Sequence, residues 1–140
     1  MFKRLIYKIS FFTAARLLIG LLLLVFVFHL CVAVGWVPNS IVWGGRIHSQ
    51  EEFYLLEGVS LLINMAFIWV VAQSAAYIKS RIPPKGLKLV LFAMAGLYAL
   101  NTLGNLMAIN PLEKYLFTPL TLISAVLCLR LAIGEQKNSP

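Results

Sequence analysis

The chain has 140 residues, of which 61% are hydrophobic and 12% charged, with a mean hydropathy of +0.88. Soluble domains carry about 25% charged residues, so this composition excludes an ordinary soluble domain and makes lipid the solvent for most of the chain. The net charge of +7 sits in short segments beside apolar runs, which suits anionic lipid headgroups, and no nucleic-acid-binding pattern is present.

Lys3, Arg4 and Lys8 precede an apolar run over residues 11–36. A signal-peptide core is only about 7–15 residues long, and Leu30 precedes Cys31 where a lipoprotein cleavage site needs a small residue. The run therefore reads as a first membrane-spanning helix, with Arg16 snorkelling toward the headgroups. Residues 36–52 form a connecting loop. Pro38 and Asn39 stop the first helix. Trp36 and Trp43 suit the membrane–water interface. Gly44 and Gly45 let the chain turn sharply before Arg46 or approach a ligand closely, the plainer alternative being an interfacial loop.

A second run, 53–77, contains Glu57, Asn64 and Gln73. A basic turn follows, with Lys79, Arg81, Lys85 and Lys88 around the stiffening pair Pro83 and Pro84. The third run is 87–109. In the tight connection after it, Asn110 caps the turn and Pro111 opens the next segment. The fourth run is 115–133, and the polar tail from Gly134 is expected to be disordered. Each run approaches or exceeds the roughly 20 residues a helix needs to cross a bilayer. Period-2 alternation is absent, which excludes a membrane β-barrel.

The expected fold is therefore all-α, a single domain forming a four-helix transmembrane bundle. Ten basic residues fall on the side of the termini and the basic turn, and only Arg46 and Lys114 fall on the other. That asymmetry predicts cytoplasmic N and C termini. Cys31 and Cys128 then sit at opposite depths, beyond the roughly 7 Å reach of a disulfide, and both read as small core residues.

The polar residues inside these spans cluster in the outer half. The helical rise of about 1.5 Å per residue puts Glu57 roughly 8 Å down and Asn64 roughly 18 Å. Asn105 is roughly 6 Å down, Asn101 roughly 12 Å, and His29 and Thr121 roughly 10 Å. Asn101 and Asn105, four apart, share a helix face that is expected to point into the bundle. Side-chain amides in a span are costly unless they meet partners, so the stretch from Asn101 to Asn105 organises the expected interior. The same amides could serve as interhelical glue worth about 0.6 kcal/mol each. Thr118 and Thr121 are expected to bond back to their own helix around Pro119. Glu57, with Arg46 or His29 as counter-charge, is a functional-site hypothesis by its position in a span. The segment from His48 to Glu52 matches no metal-ligand spacing, and neither a metal nor a cofactor is expected.

Five pieces carry a resemblance. They are Trp43-Gly-Gly-Arg46-Ile, the stretch Glu57 to Asn64, the stretch Asn101 to Asn105, Leu112-Glu-Lys, and Thr118-Pro-Leu-Thr121. Over residues 36–133 the chain resembles a family of small four-span bacterial integral membrane proteins without an assigned function. The resemblance implies a multi-pass protein of the bacterial cytoplasmic membrane and no particular activity. The placement of Glu57 is also similar to that in sterol-isomerase and sigma-2-receptor-like proteins. Their other acidic and aromatic positions are not matched, so no catalysis carries over. The start Ala15-Arg16 to Gly20 is similar to DoxX-like membrane proteins, but the later spans are not.

The expected function is binding of a small polar or amphipathic ligand, including a lipid, in an outward-facing pocket. Its expected residues are Arg46, Glu57, Asn64, Asn101, Asn105, Thr121 and His29. The alternatives are an accessory subunit whose polar cluster fixes helix register and a lipid-modifying enzyme using Glu57 or His29 as acid or base. Expected partners are membrane lipids, a small molecule, and either a second copy or another membrane protein.

Overall fold

The computed structural model describes residues 7–38, 41–43, 47 and 49–134. The sequence expectations for Lys3, Arg4, Asn39, Gly44, Gly45, Arg46, His48 and the tail from Glu135 lie outside this set. Four helices follow one another: α1 (Phe11–Ala33), α2 (Gln50–Ser74), α3 (Pro84–Leu106) and α4 (Thr118–Ile133). A single π-helical turn, Glu113–Phe117, leads into α4. Among the described residues there is no strand. The helices provide apolar spans of 23, 25, 23 and, with the π turn, 21 residues, long and apolar enough to cross a membrane. Large side chains such as Leu24, Leu55, Leu62, Leu89 and Leu100 cover the outside of the bundle. In water so much exposed apolar surface would drive aggregation, whereas lipid solvates it. The protein is a multi-pass membrane protein.

The boundaries differ from those expected by about three residues, and local capping explains why. Ser49 starts α2 by accepting a hydrogen bond from Glu52 N–H at 3.1 Å. This is the N-cap arrangement that a Ser-x-x-Glu sequence provides, so the helix begins at Gln50 rather than 53. Pro84 opens α3 three residues before the apolar run, since a first-turn proline loses no helical bond. At the other end of α1, Gly35 adopts φ +81° and Trp36 N–H returns to Cys31 O at 2.9 Å. The chain has turned before Pro38 is reached. α2 closes in the same way on Ala76, at φ +56°. The Gln73 side chain fixes the exit by accepting from Arg81 N–H at 2.7 Å and Ile82 N–H at 3.3 Å.

The π turn has its own cause. Pro119 has no N–H for the carbonyl of Tyr115, and its ring crowds that carbonyl. A wider turn just ahead relieves both problems. Asn110 Oδ1 accepts from Leu112 N–H at 2.9 Å, the expected cap of this connection.

The helices alternate in direction, so the bundle has a loop half and a terminal half. The terminal half is packed with apolar side chains. Leu18 and Leu22 of α1 meet Val71 of α2, Leu91 and Met94 of α3, and Leu127 and Cys128 of α4. At its very end Arg130 is buried. Its Nε donates to Ile9 O at 2.7 Å, and its guanidinium lies 5.1 Å from the Tyr7 ring centre and 5.9 Å from that of Phe11. Tyr7 OH donates to Ile133 O at 3.0 Å, closing a clasp between the first described residues and the end of α4. Helix pairing is uneven. α3 packs along α4 and α1 along α2, while α2 and α3 meet much more sparingly.

Candidate functional site

The loop half encloses a cavity of about 470 Å³. Ligand pockets fall in the range of about 300–1,000 Å³. Its walls are mostly apolar, with Phe28, Val59, Ile63, Phe67, Leu97 and Leu120 among them, and Ile41, Val42 and Trp43 of the loop also contribute. Five of the seven expected site residues line it: His29, Asn64, Asn101, Asn105 and Thr121. Arg46 is outside the described residues.

Glu57 is the exception. It is 1% exposed and stands behind the wall rather than in it. Its Oε2 is 2.7 Å from His29 Nδ1, and its Oε1 accepts the Trp43 indole N–H at 2.9 Å. Both carboxylate oxygens are thus engaged by the protein. The carboxylate expected to supply charge to a ligand is held by His29 and Trp43. The counter-charge expected for it includes His29, and that is the pairing observed. A carboxylate oxygen that accepts at this distance takes the proton of Nδ1 in the hydrogen bond, the tautomer that leaves Nε2 open. Nε2 then has no hydrogen-bond partner among the described residues, while the ring lines the cavity. A histidine oriented in this way can accept or donate a proton at its free nitrogen. Trp43 reaches Glu57 from a left-handed backbone conformation, φ +59°, rare for a bulky residue.

A second polar group joins α3 to α4. Thr121 Oγ1 lies 2.9 Å from Thr102 Oγ1 and 2.8 Å from Phe117 O, and Asn105 Nδ2 donates to it at 3.3 Å. Thr102 Oγ1 is also 2.8 Å from Tyr98 O. Every member has at least one protein partner, and Asn105 also lines the cavity. Thr121 bonds back to its helix as expected. Thr118 does not: its Oγ1 is buried without a partner.

Asn64 is different in kind. It is 8% exposed, lines the cavity, and its Oδ1 is buried without a hydrogen-bond partner. Leaving a buried amide unsatisfied costs about 1–3 kcal/mol.

Two further findings concern α3 and the connection to α4. Asn101 is exposed on the flank of the bundle, where it edges the cavity, and Thr102 takes the inward position expected for it. One residue is about 100° of helix, and Thr102 continues the stripe Leu87, Leu91, Met94 and Ala95 that faces the core. Following that stripe upward would have identified Thr102. Glu113, in the connection between α3 and α4, is not among the expected site residues, yet it is buried at 8% exposure, lines the cavity and has partners of its own. The signal for it was Pro119, whose widened turn carries Glu113 into the bundle.

Compared with protein-family models, with curated proteins and with solved structures, the chain matches none.

Proposed function

We propose that the protein binds a small polar or amphipathic ligand in this cavity, and that the loop half faces outward from a bacterial cytoplasmic membrane with both termini in the cytoplasm. Asn64, which lines a cavity of about 470 Å³ and whose amide oxygen has no protein partner, carries the reading. A polar group at that depth, without water or protein to satisfy it, is stabilised by a molecule that brings its own donors and acceptors. Asn105 and His29 extend the polar wall, and the apolar remainder suits the body of an amphiphile. The orientation rests on the excess of basic residues at the terminal end. The resemblance to small four-span bacterial membrane proteins agrees with this reading and adds no activity.

One observation favours a second reading, a lipid-modifying enzyme. Glu57 holds the His29 ring through Nδ1, and His29 lines the cavity, where a general acid or base would act. The first reading is tested by mass spectrometry of small molecules extracted from protein purified in mild detergent. The parent chain is expected to carry a near-stoichiometric molecule that Asn64→Leu loses while retaining its Tm. An empty parent chain, or an Asn64→Leu variant loaded like the parent, would overturn it.

A further inference from the structure

The cavity is not walled evenly. Where α2 and α3 meet sparingly, the side chains of Val59, Ile63, Leu97 and Asn101 line the cavity and are also exposed on the outside of the bundle. A side chain that belongs to both surfaces marks an opening. Asn101 lies about 8 Å from the end of α3, and Val59 about 14 Å from the start of α2, both within the apolar spans. The opening therefore faces hydrocarbon rather than water.

We infer that the cavity is loaded sideways from the bilayer through the gap between α2 and α3, and that its occupant is a single-chain amphiphile with a neutral hydroxyl, carbonyl or amide head. This deepens the ligand-site reading and rests on it. The rim residues Val59, Ile63 and Leu97 give a hydrocarbon chain a surface like lipid. Just inside that rim stand two amides, Asn101 at the mouth and Asn64 further in. The Asn64 carbonyl oxygen has no protein partner, and no protein group bonds the Asn101 amide among the described residues. An unbonded amide is costly both where it is exposed to lipid, as at Asn101, and where it is buried, as at Asn64, and a bound polar head offers both side chains partners. Amides donate and accept but carry no charge, so they match a neutral head. Size limits the rest of the molecule. At about 30 Å³ per water, the cavity of about 470 Å³ holds the equivalent of about sixteen waters, enough for a head and the first part of one chain. A two-chain lipid does not fit, and the remaining tail lies in the gap.

The test uses the full chain in phosphatidylcholine vesicles with hexadecanol bearing a chain diazirine and a terminal alkyne, crosslinked by light and mapped by peptide mass spectrometry. Labelling of residues 56–67 and 97–105 is expected, and it should be saturable by unlabelled hexadecanol. Val59→Trp combined with Leu97→Trp fills the gap with bulk at exposed positions and is expected to cut saturable labelling at least fivefold. Leu23→Trp, exposed on α1 away from the cavity, should leave it within twofold. Undiminished labelling in the double variant would overturn sideways entry. A dimer that the double variant turns monomeric would assign the gap to a second copy and overturn the proposal as well. No saturable labelling, with a molecule still co-purifying in an Asn64-dependent way, would overturn the amphiphile class alone and leave the ligand site standing.

Discussion

The terminal and loop halves of the bundle are built from the same four helices and reach opposite ends. In the terminal half, Leu18, Leu22, Met94 and Leu127 interdigitate with alanines and Cys128, and each is at most 2% exposed. In the loop half, polar side chains stand where those residues would be, and a cavity remains between them. Lipid tails are as apolar as leucine, so packing and hydrogen bonds, rather than exclusion of water, hold such helices together. The terminal half uses the first and the loop half the second. The loop half satisfies some of its polar groups internally, at Glu57 and at Thr121, and leaves Asn64 for something else. Rigidity in one half thus supports an open, polar interior in the other.

The largest effect is expected at the hydrogen-bonded anchor of the loop half. Glu57→Gln leaves one acceptor oxygen for two N–H donors, those of His29 and Trp43. Breaking a buried pair in this way should cost about 3 kcal/mol, read as a lowered Tm in detergent. A loss below about 1 kcal/mol would mean that the loop half is not anchored there. A smaller effect of a different kind is expected in the terminal half. Leu18→Ala should cost about 2 kcal/mol through the cavity it leaves, and it should leave the amount of co-purifying ligand unchanged. If Leu18→Ala emptied the ligand site as well, the two halves would not be separable and the comparison would fail.

Much of this division was legible in the sequence. The four apolar runs fixed the number of helices, and the clustering of Glu57, Asn64, Asn101, Asn105, Thr121 and His29 in one half placed the polar interior there. The helix ends were misjudged because apolar content marks where lipid begins, whereas Ser49, Pro84 and Gly35 mark where hydrogen bonding begins and ends. The shared face of Asn101 and Asn105 and the cost of their amides in lipid point both inward on the sequence alone. The stripe from Leu87 to Ala95 decides rotation instead, and it turns Thr102 inward. That Glu57 serves His29 and Trp43 was not readable from spacing, since Trp43 reaches it from a loop through an uncommon backbone angle. The burial of Glu113 has a sequence signal in Pro119 but needs the geometry of the π turn to be placed.

One molecule can test the contrast between the halves directly. In a Cys31→Ala background, Asn64→Cys places one thiol on the cavity wall while Cys128 remains in the packed terminal half at 0% exposure. A small neutral reagent such as methyl methanethiosulfonate needs room and nearby water to react with either thiol. After detergent exchange, the thiol at position 64 is expected to react at least tenfold faster than Cys128. Equal and slow rates at both positions would show the loop half to be packed as solidly as the terminal half, and would contradict the account.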